Sequence, residues 1–395
     1  MTLSVHRTRR LPSARSGRHT RTEAAFLERE RMLAVYTHVG LAEGRLDIHK
    51  NHYRRPKEMK TFLLTIALIV SLHAPALGAT TLDAKSVNTA QWGDAKTKTR
   101  TLTPSIVKLQ VLLDRANFSP GEIDGMPGEN VDKAVAAYAA SQNLQGLGDE
   151  LWQKLTSGFD GDVIVEYTIS ESDNKGPFAD KIPAKMEEMK DLPTLAYTSP
   201  KERLAERFHM SPELLEALNS GKKFDKPGET ISVANVSQEG LPPKVRRIEI
   251  DKTKQTLRAF NERNEVIAFF PVTAGSREKP APDGVLTVTS ISKDPTYRYN
   301  PEYNFKGVKA REAFTIKPGP NNPVGLIWIG LNREGYGIHG TPEPSKISKS
   351  ESHGCIRLTN WDALKLGAAV KKGIKVEFFG DEGKKSRPRA GRRLS

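Results

Sequence analysis

The amino-acid sequence predicts a multidomain α+β chain: a small three-helix module, a second small module of two helices between two strands, and a mainly antiparallel β domain that packs one helix. Three observations carry this expectation. The chain has 395 residues, which at roughly 150 per domain means two or three domains with room for a sizeable core. From Lys244 onward apolar residues recur at every second position instead of at helical spacing, the period of a half-buried strand. The 31 Gly and 25 Pro place turns throughout and exclude a plain helical bundle. Hydrophobic residues at 37% against charged residues at 27% describe a water-soluble chain. The single cysteine excludes an internal disulfide, an iron-sulfur cluster and a multi-cysteine zinc site.

The net charge of +14 belongs largely to the two ends. Residues 1–58 hold 13 Lys and Arg against 6 acids, residues 381–395 hold 6 against 2, and only +3 is left for everything between. With no aromatic RNA-binding motif or zinc-finger spacing in that middle, nucleic acid is not an expected partner.

Residues 1–58 are rich in Arg and Ser without a sustained apolar period, and read as disordered or as sequence ahead of a true start at Met59. Residues 59–79 read as a secretory signal peptide: Met59-Lys60, an apolar run from Phe62 to Leu72, then small residues at Ala76, Gly78 and Ala79. That run is shorter than the ~20 residues that cross a bilayer. An uncleaved anchor, with Arg54, Arg55, Lys57 and Lys60 held inside, is the alternative. The expected location is therefore exported, in the periplasm or cell envelope. Residues 80–102, polar with repeated Thr and Lys, read as a linker.

Pro104 opens a helix with Ile106, Leu109 and Leu113 on one face. Val131, Ala134, Val135 and Tyr138 define a second, and Leu151 to Leu155 a short third. Between the first two, Asp124-Gly125 and Pro127-Gly128 permit sharp reversals. Residues 103–157 resemble the three-helix peptidoglycan-binding domain through this Asp-Gly-x-x-Gly loop and the Tyr138 to Gln142 stretch. In residues 158–243 a strand is expected at Leu195–Ser199. Two helices follow, opened by Ser199-Pro200 and Ser211-Pro212, each a serine cap with proline at the first helical position. A closing strand is expected at Gly228–Val233. That order resembles the lysin motif, although the opening strand lacks its Gly-Asp-Thr pattern. The resemblance implies a glycan-binding module or a spacer.

Residues 244–380 alternate as strands do. Strands are expected at Arg247–Asp251, Gln255–Phe260, Val266–Val272, Gly284–Ser290, Glu312–Lys317, Gly325–Gly330, Gly337–His339 and Lys375–Phe379, with one helix at Trp361–Ala369. Residues 381–395 read as a basic disordered tail.

Of nine histidines only His209, His339 and His353 lie beyond the signal segment, and two of them approach the lone thiol. They stand in His339-Gly340-Thr341 and Ser352-His353-Gly354-Cys355-Ile356-Arg357-Leu358. A thiol becomes a strong nucleophile only as thiolate, and histidine is its usual proton acceptor. Gly354 permits close backbone approach beside Cys355, where N–H groups could face the oxygen of an attacked carbonyl. The candidate catalytic residues are thus Cys355, His339 and His353, with Gly340, Ser352, Gly354 and Arg357 as oxyanion or substrate contacts.

These motifs, preceded by Pro282-Asp283-Gly284 and by Pro318 to Gly325, resemble the catalytic domain of the L,D-transpeptidases of bacterial cell walls. The resemblance implies that Cys355 is the nucleophile, His339 the base and His353 an aid at the oxyanion or substrate. It implies a thioester with a peptidoglycan stem tetrapeptide, loss of D-alanine, and transfer of the acyl group to an amine. Partners would be stem peptides and glycan, with an envelope protein as a further acyl acceptor. No cofactor and no metal are implied. The stretch Pro295 to Phe305 is a candidate lid.

Two rivals stay open on the residues alone. His339, His353 and Cys355 could be three zinc ligands, or the cysteine could be inert in a wall-binding scaffold. Because every candidate catalytic group follows residue 243, the segments before it are expected to be dispensable for chemistry on small peptides.

Overall fold

A computed structural model describes residues 82–93, 101–145, 148–237, 240–241, 245–303 and 308–380. The segments read as a disordered start (1–58), a signal peptide (59–79) and a basic tail (381–395) lie outside the described residues. Among the described residues no helix is long and apolar enough to cross a membrane.

The expected linker is corrected over residues 82–93. Helix α1 (Ala84–Asn88) is capped by Asp83, whose carboxylate accepts from the Ser86 N–H at 2.7 Å. Val87 is fully buried, and Trp92 tilts against Trp152 with ring centroids 5.9 Å apart. The few apolar residues here follow neither helical nor strand period, so only their burial reveals them.

Helices α2 (Pro104–Arg115), α3 (Glu129–Ser141) and α4 (Asp149–Ser157) follow. Leu109, Leu113, Ala134, Val135 and Leu151 share one buried cluster. In the reversal between α2 and α3, Gly125 adopts φ +69° and donates its N–H to Gln110 Oε1 at 2.8 Å. Asp124 Oδ1 accepts from the Gln110 amide at 2.7 Å and the Met126 N–H at 3.0 Å, so its carboxylate shapes the turn.

Next come β1 (Ile164–Thr168), α5 (Glu171–Asn174), α6 (Met186–Met189), α7 (Pro200–Arg207), α8 (Pro212–Leu218) and β2 (Thr230–Ala234). Ser199 and Ser211 cap α7 and α8. The expected opening strand is misplaced: β2 pairs antiparallel with β1, Ile164 opposite Ala234 and Thr168 opposite Thr230, and not with Leu195–Ser199. Leu195 is fully buried, and its backbone bonds elsewhere, its N–H to Pro318 O at 3.0 Å and its carbonyl from the Asn321 N–H at 2.9 Å. A short apolar run buried in a loop carries the same local signal as a strand.

The β domain contains β3 (Arg247–Asp251), β4 (Thr256–Phe260), β5 (Val266–Pro271), β6 (Thr273–Ala274), β7 (Gly284–Lys293), β8 (Tyr297–Tyr299), β9 (Phe314–Ile316), β10 (Ile327–Leu331), β11 (Gly337–His339), β12 (Ile356–Arg357), α9 (Asn360–Ala369) and β13 (Lys375–Phe379). Nine strands form one sheet in the order β5-β4-β3-β13-β7-β10-β11-β12-β6, and β8 pairs with β9 as a separate hairpin. Pairing is antiparallel except β3 with β13 and β11 with β12. Helix α9 buries Ala363 and Leu366, and a Cβ at Gly367 would collide with Ile327.

The helical segments and the sheet are not independent. Phe269 of β5 belongs to the N-terminal hydrophobic cluster. Its N–H donates to Asn117 O and its carbonyl accepts from the Ser119 N–H, each at 2.9 Å, which covers the open edge of β5. Behind this contact lies a buried charge cluster. Asp114 of α2 accepts from Lys365 of α9 at 3.0 Å and from His209 Nδ1 at 2.9 Å, and Trp361 stacks on His209 at 5.0 Å. Burial pushes the Asp114 carboxyl up, but His209 and Lys365 outweigh it and hold the group below the usual carboxylate range. Burial pushes His209 down, against the opposing pull of the Asp114 carboxylate. Nearby Asp362, bonded by Ser119 at 2.8 Å, is pushed up to about 7 by burial and then by Asp114.

Removing one partner of a buried pair leaves the other charge desolvated, at a cost of ~3–5 kcal/mol. Lys365→Met is therefore expected to lower unfolding stability by about that much, measured by denaturant titration. A change near zero would mean that Asp114 and Asp362 already sit in a wet environment.

Candidate active site

Strand register places the chemistry. β11 and β12 run parallel with Ile338 opposite Ile356 and His339 opposite Arg357. Side chains alternate across a sheet. Ile338 and Ile356 therefore point into the hydrophobic core, where both are buried, and Cys355, Arg357 and His339 point together to the other face. On that face β10 pairs Trp328 with His339, and the two rings stack at 5.5 Å with an 18° interplanar angle. The indole lies flat because Gly337 and Gly330 beneath it lack side chains, and a Cβ at Gly337 would enter the Trp328 ring at 2.5–2.8 Å.

His339 is 4% exposed, and its Nδ1 lies 2.7 Å from the Gly340 carbonyl. A carbonyl can only accept, so Nδ1 carries the proton and Nε2 is left with its lone pair. Burial, then the Arg357 guanidinium, pushes the imidazole down to about 3. The ring is a neutral base at physiological pH. Burial pushes the Cys355 thiol up, against the opposing pull of the Gly337 backbone and of the Arg357 and Lys279 charges. Its Sγ bonds to the Gly335 carbonyl at 3.4 Å and not to His339. The resting pair is thus neutral thiol and neutral imidazole, and catalytic hydrogen bonds often tighten only when substrate arrives.

The turn before Cys355 is braced by residues expected to touch substrate. Ser352 is buried, its N–H donating to Gly275 O at 3.0 Å and its hydroxyl to Cys355 O at 2.6 Å. Gly340 donates to Ile327 O at 3.4 Å, and a Cβ there would strike Asn360. These bonds hold Ser352 and Gly340 in place around Cys355. Gly354 has φ +100°, and a Cβ would lie 2.9 Å from Tyr336. The Gly354 and Cys355 N–H groups take no part in the bonds of this turn. Arg357 donates to Glu351 O at 3.1 Å and also faces the cavity. His353 is exposed at the rim, its ring pushed down by burial and by the Arg357 and Lys279 charges.

These groups line a cavity of about 740 Å³. Its walls include Lys279, Tyr297, Arg298, Trp328, Tyr336 and Met186 beside His339, His353, Cys355 and Arg357. Trp328, Tyr336 and the Gly335 carbonyl escaped the sequence reading, although Glu334-Gly335-Tyr336-Gly337 adjoins His339 and its glycines signal close packing. Met186 lies far upstream and carries no local signal. The candidate lid residues Tyr297 and Arg298 do line the cavity, on β8. Among the described residues no group of three or more His, Cys, Asp or Glu is placed to hold a metal ion.

Residues 245–377 match the family model of the L,D-transpeptidase catalytic domain. The Bacillus licheniformis protein assigned as L,D-transpeptidase YkuD is 27% identical over 179 residues, 45% of this chain and 92% of that protein. The Escherichia coli K12 protein assigned as L,D-transpeptidase YbiS is 28% identical over 190 residues, 46% of this chain and 60% of that protein. Both alignments are longer than the catalytic segment, and the chain spans about three fifths of the Escherichia coli relative. A solved L,D-transpeptidase from Mycobacterium smegmatis is 15% identical, covering 40% of this chain and 76% of that one with a TM-score of 0.29.

The unfolded imidazole takes a proton below ~6.5, whereas folded His339 takes one only near about 3. The folded state therefore loses stability through this group as pH falls across that window. In NMR titration the His339 ring is expected to stay neutral down to about pH 5 with its proton on Nδ1. Arg357→Gln should raise the midpoint, because a cation that opposes the imidazolium is gone. A wild-type midpoint at the ordinary imidazole value would contradict the buried neutral base.

Proposed function

We propose that this chain, whose residues 245–377 belong to the L,D-transpeptidase catalytic-domain family, is an exported enzyme that transfers peptidoglycan stem-peptide acyl groups through Cys355. One observation carries the reading: parallel pairing puts Cys355, His339 and Arg357 on one sheet face, with His339 held as the Nδ1–H tautomer by Gly340. Nε2 takes the thiol proton as Sγ bonds to the carbonyl carbon of the third stem residue. Gly354 and Cys355 N–H groups receive the developing oxyanion, where positioned donors act most strongly. The bond to the terminal D-alanine breaks, and its nitrogen leaves with the proton from His339. An amine on a second stem or an envelope protein then attacks the thioester, gives its proton back through His339, and regenerates the thiol. Arg357 favours the thiolate while opposing the imidazolium, and His353 at the rim steadies substrate. The segments over 103–157 and 158–243 would hold the enzyme on wall glycan, in the periplasm or cell envelope.

Intact mass after mixing with a tetrapeptide donor tests this. The wild type should gain the donor mass less one D-alanine at Cys355, the thiol proton leaving on the D-alanine amine. His339→Ala should slow that gain by ~10² to 10⁴, the range of a positioned general base. Cys355→Ser should lose it, because the same base cannot make a comparable nucleophile from a far weaker acid. His353→Ala should fall between. An adduct elsewhere, or undiminished acylation of Cys355→Ser, would return the inert-scaffold reading.

A further inference from the structure

The segment Gly176–Thr198, inserted in the N-terminal module between α5 and α7, contributes nothing to that module's own core. The N-terminal hydrophobic cluster draws on Ile169 and then on Leu204, with no residue between. Tyr197 and Thr198 bond Glu206 and Glu202 of α7, and the segment's other long-range bonds go to the catalytic domain. Glu187 Oε1 accepts from the Lys309 and Ala310 N–H groups at 2.6 and 3.2 Å. Leu195 exchanges backbone bonds with Pro318 and Asn321, Thr194 donates to Pro318 O at 2.9 Å, and Asn321 donates to Ala196 O at 2.9 Å. Gly319, at φ +144°, has no room for a Cβ against the Leu195 backbone. These anchors bracket β9, whose partner β8 carries Tyr297 and Arg298 into the cavity. Between them Met186 of α6 reaches the same cavity wall as Cys355.

We infer that this insertion is the outer wall of the acyl-donor site, that Met186 is a specificity-determining contact for the donor peptide, and that Glu187 is a positioning residue acting through the β8–β9 hairpin. The inference rests on the transpeptidase reading above. Its chemical basis is the wall itself: the Met186 thioether stands with Tyr297, Trp328 and Tyr336 as apolar surface, while Lys279, Arg298 and Arg357 supply positive charge that outnumbers the carboxylates of Glu278 and Glu334. Such a surface suits an extended peptide that carries carboxylates and an aliphatic backbone, and thioethers adapt readily to such ligands. On this inference residues before 243 take part in binding even small peptides, in contrast to the expectation drawn from the sequence.

The test uses the full chain and two readouts: steady-state release of D-alanine from a soluble tetrapeptide, and alkylation of Cys355 by iodoacetamide, which needs no peptide site. Met186→Glu should raise KM about tenfold, the scale of one lost apolar contact, with kcat and alkylation within about twofold. Met186→Leu should restore the wild-type KM. Glu187→Gln should raise KM in the same sense without slowing alkylation. An unchanged KM in Met186→Glu, or equal losses of kcat and alkylation in Met186→Glu and Met186→Leu, would overturn the inference alone. A wild-type chain that is alkylated at Cys355 yet releases no D-alanine would overturn the transpeptidase reading beneath it.

Discussion

The parallel pairing of β11 with β12 is the constraint on which the site depends. Two short strands with Ile338 opposite Ile356 define the register, and burying each isoleucine stabilises that register by roughly 1.5–3 kcal/mol. A slip of β12 by one residue would turn Arg357 into the core and Ile356 to the opposite face, while β11 stays fixed by β10. Parallel neighbours cannot be joined by a tight hairpin and need a crossover of about a dozen residues or more. The loop from Gly340 to Cys355 is that crossover. The spacing between histidine and cysteine is thus a topological requirement of the sheet before it is a catalytic one.

The same geometry explains why the resting site holds no ready-made ion pair. Arg357 sits opposite His339 in the ladder and close to Cys355, so its charge favours a thiolate and disfavours an imidazolium. For transfer of one proton from thiol to ring these effects oppose each other, and burial disfavours both charged forms. The Gly335 carbonyl meanwhile engages the thiol. A neutral thiol held by a carbonyl is a poor target for adventitious oxidation, which follows thiolate character.

His339, His353 and Cys355 could be found by reading alone, because reactive residue types are scarce in this chain and these three converge in sequence as well as in space. The longer strands could be read too, since β3, β4 and β13 alternate over five residues. β12, with two residues, is too short for any period to register. Leu195–Tyr197 carries a strand's composition but packs as a loop against Pro318, and α1 lacks a periodic face altogether. Ser352 and Gly340 are read as site residues from adjacency to Cys355 and His339, and adjacency alone does not reveal the bonds to Gly275, Cys355 and Ile327 that hold them. Met186 stands furthest from legibility: nothing around it marks a site, and only the long-range contacts of its segment bring it to the cavity.

Those contacts bear on how the N-terminal segments and the catalytic domain share one folded body. Three separate devices tie the N-terminal segments to the catalytic domain: the covered edge of β5, the Asp114–Lys365 pair, and the Glu187 and Leu195 anchors beside the cavity. The first protects a sheet edge from pairing with other chains. The second adds specificity of docking at a desolvation cost, since a buried pair stabilises little by itself but penalises any arrangement that separates it. With those two in place the orientation of the N-terminal module is set, and the insertion can close one side of the catalytic cleft without a hinge. Asn321 bonds both the Ala196 carbonyl and Glu202 of α7, so the module and the catalytic domain meet through direct side-chain contacts beside the cavity.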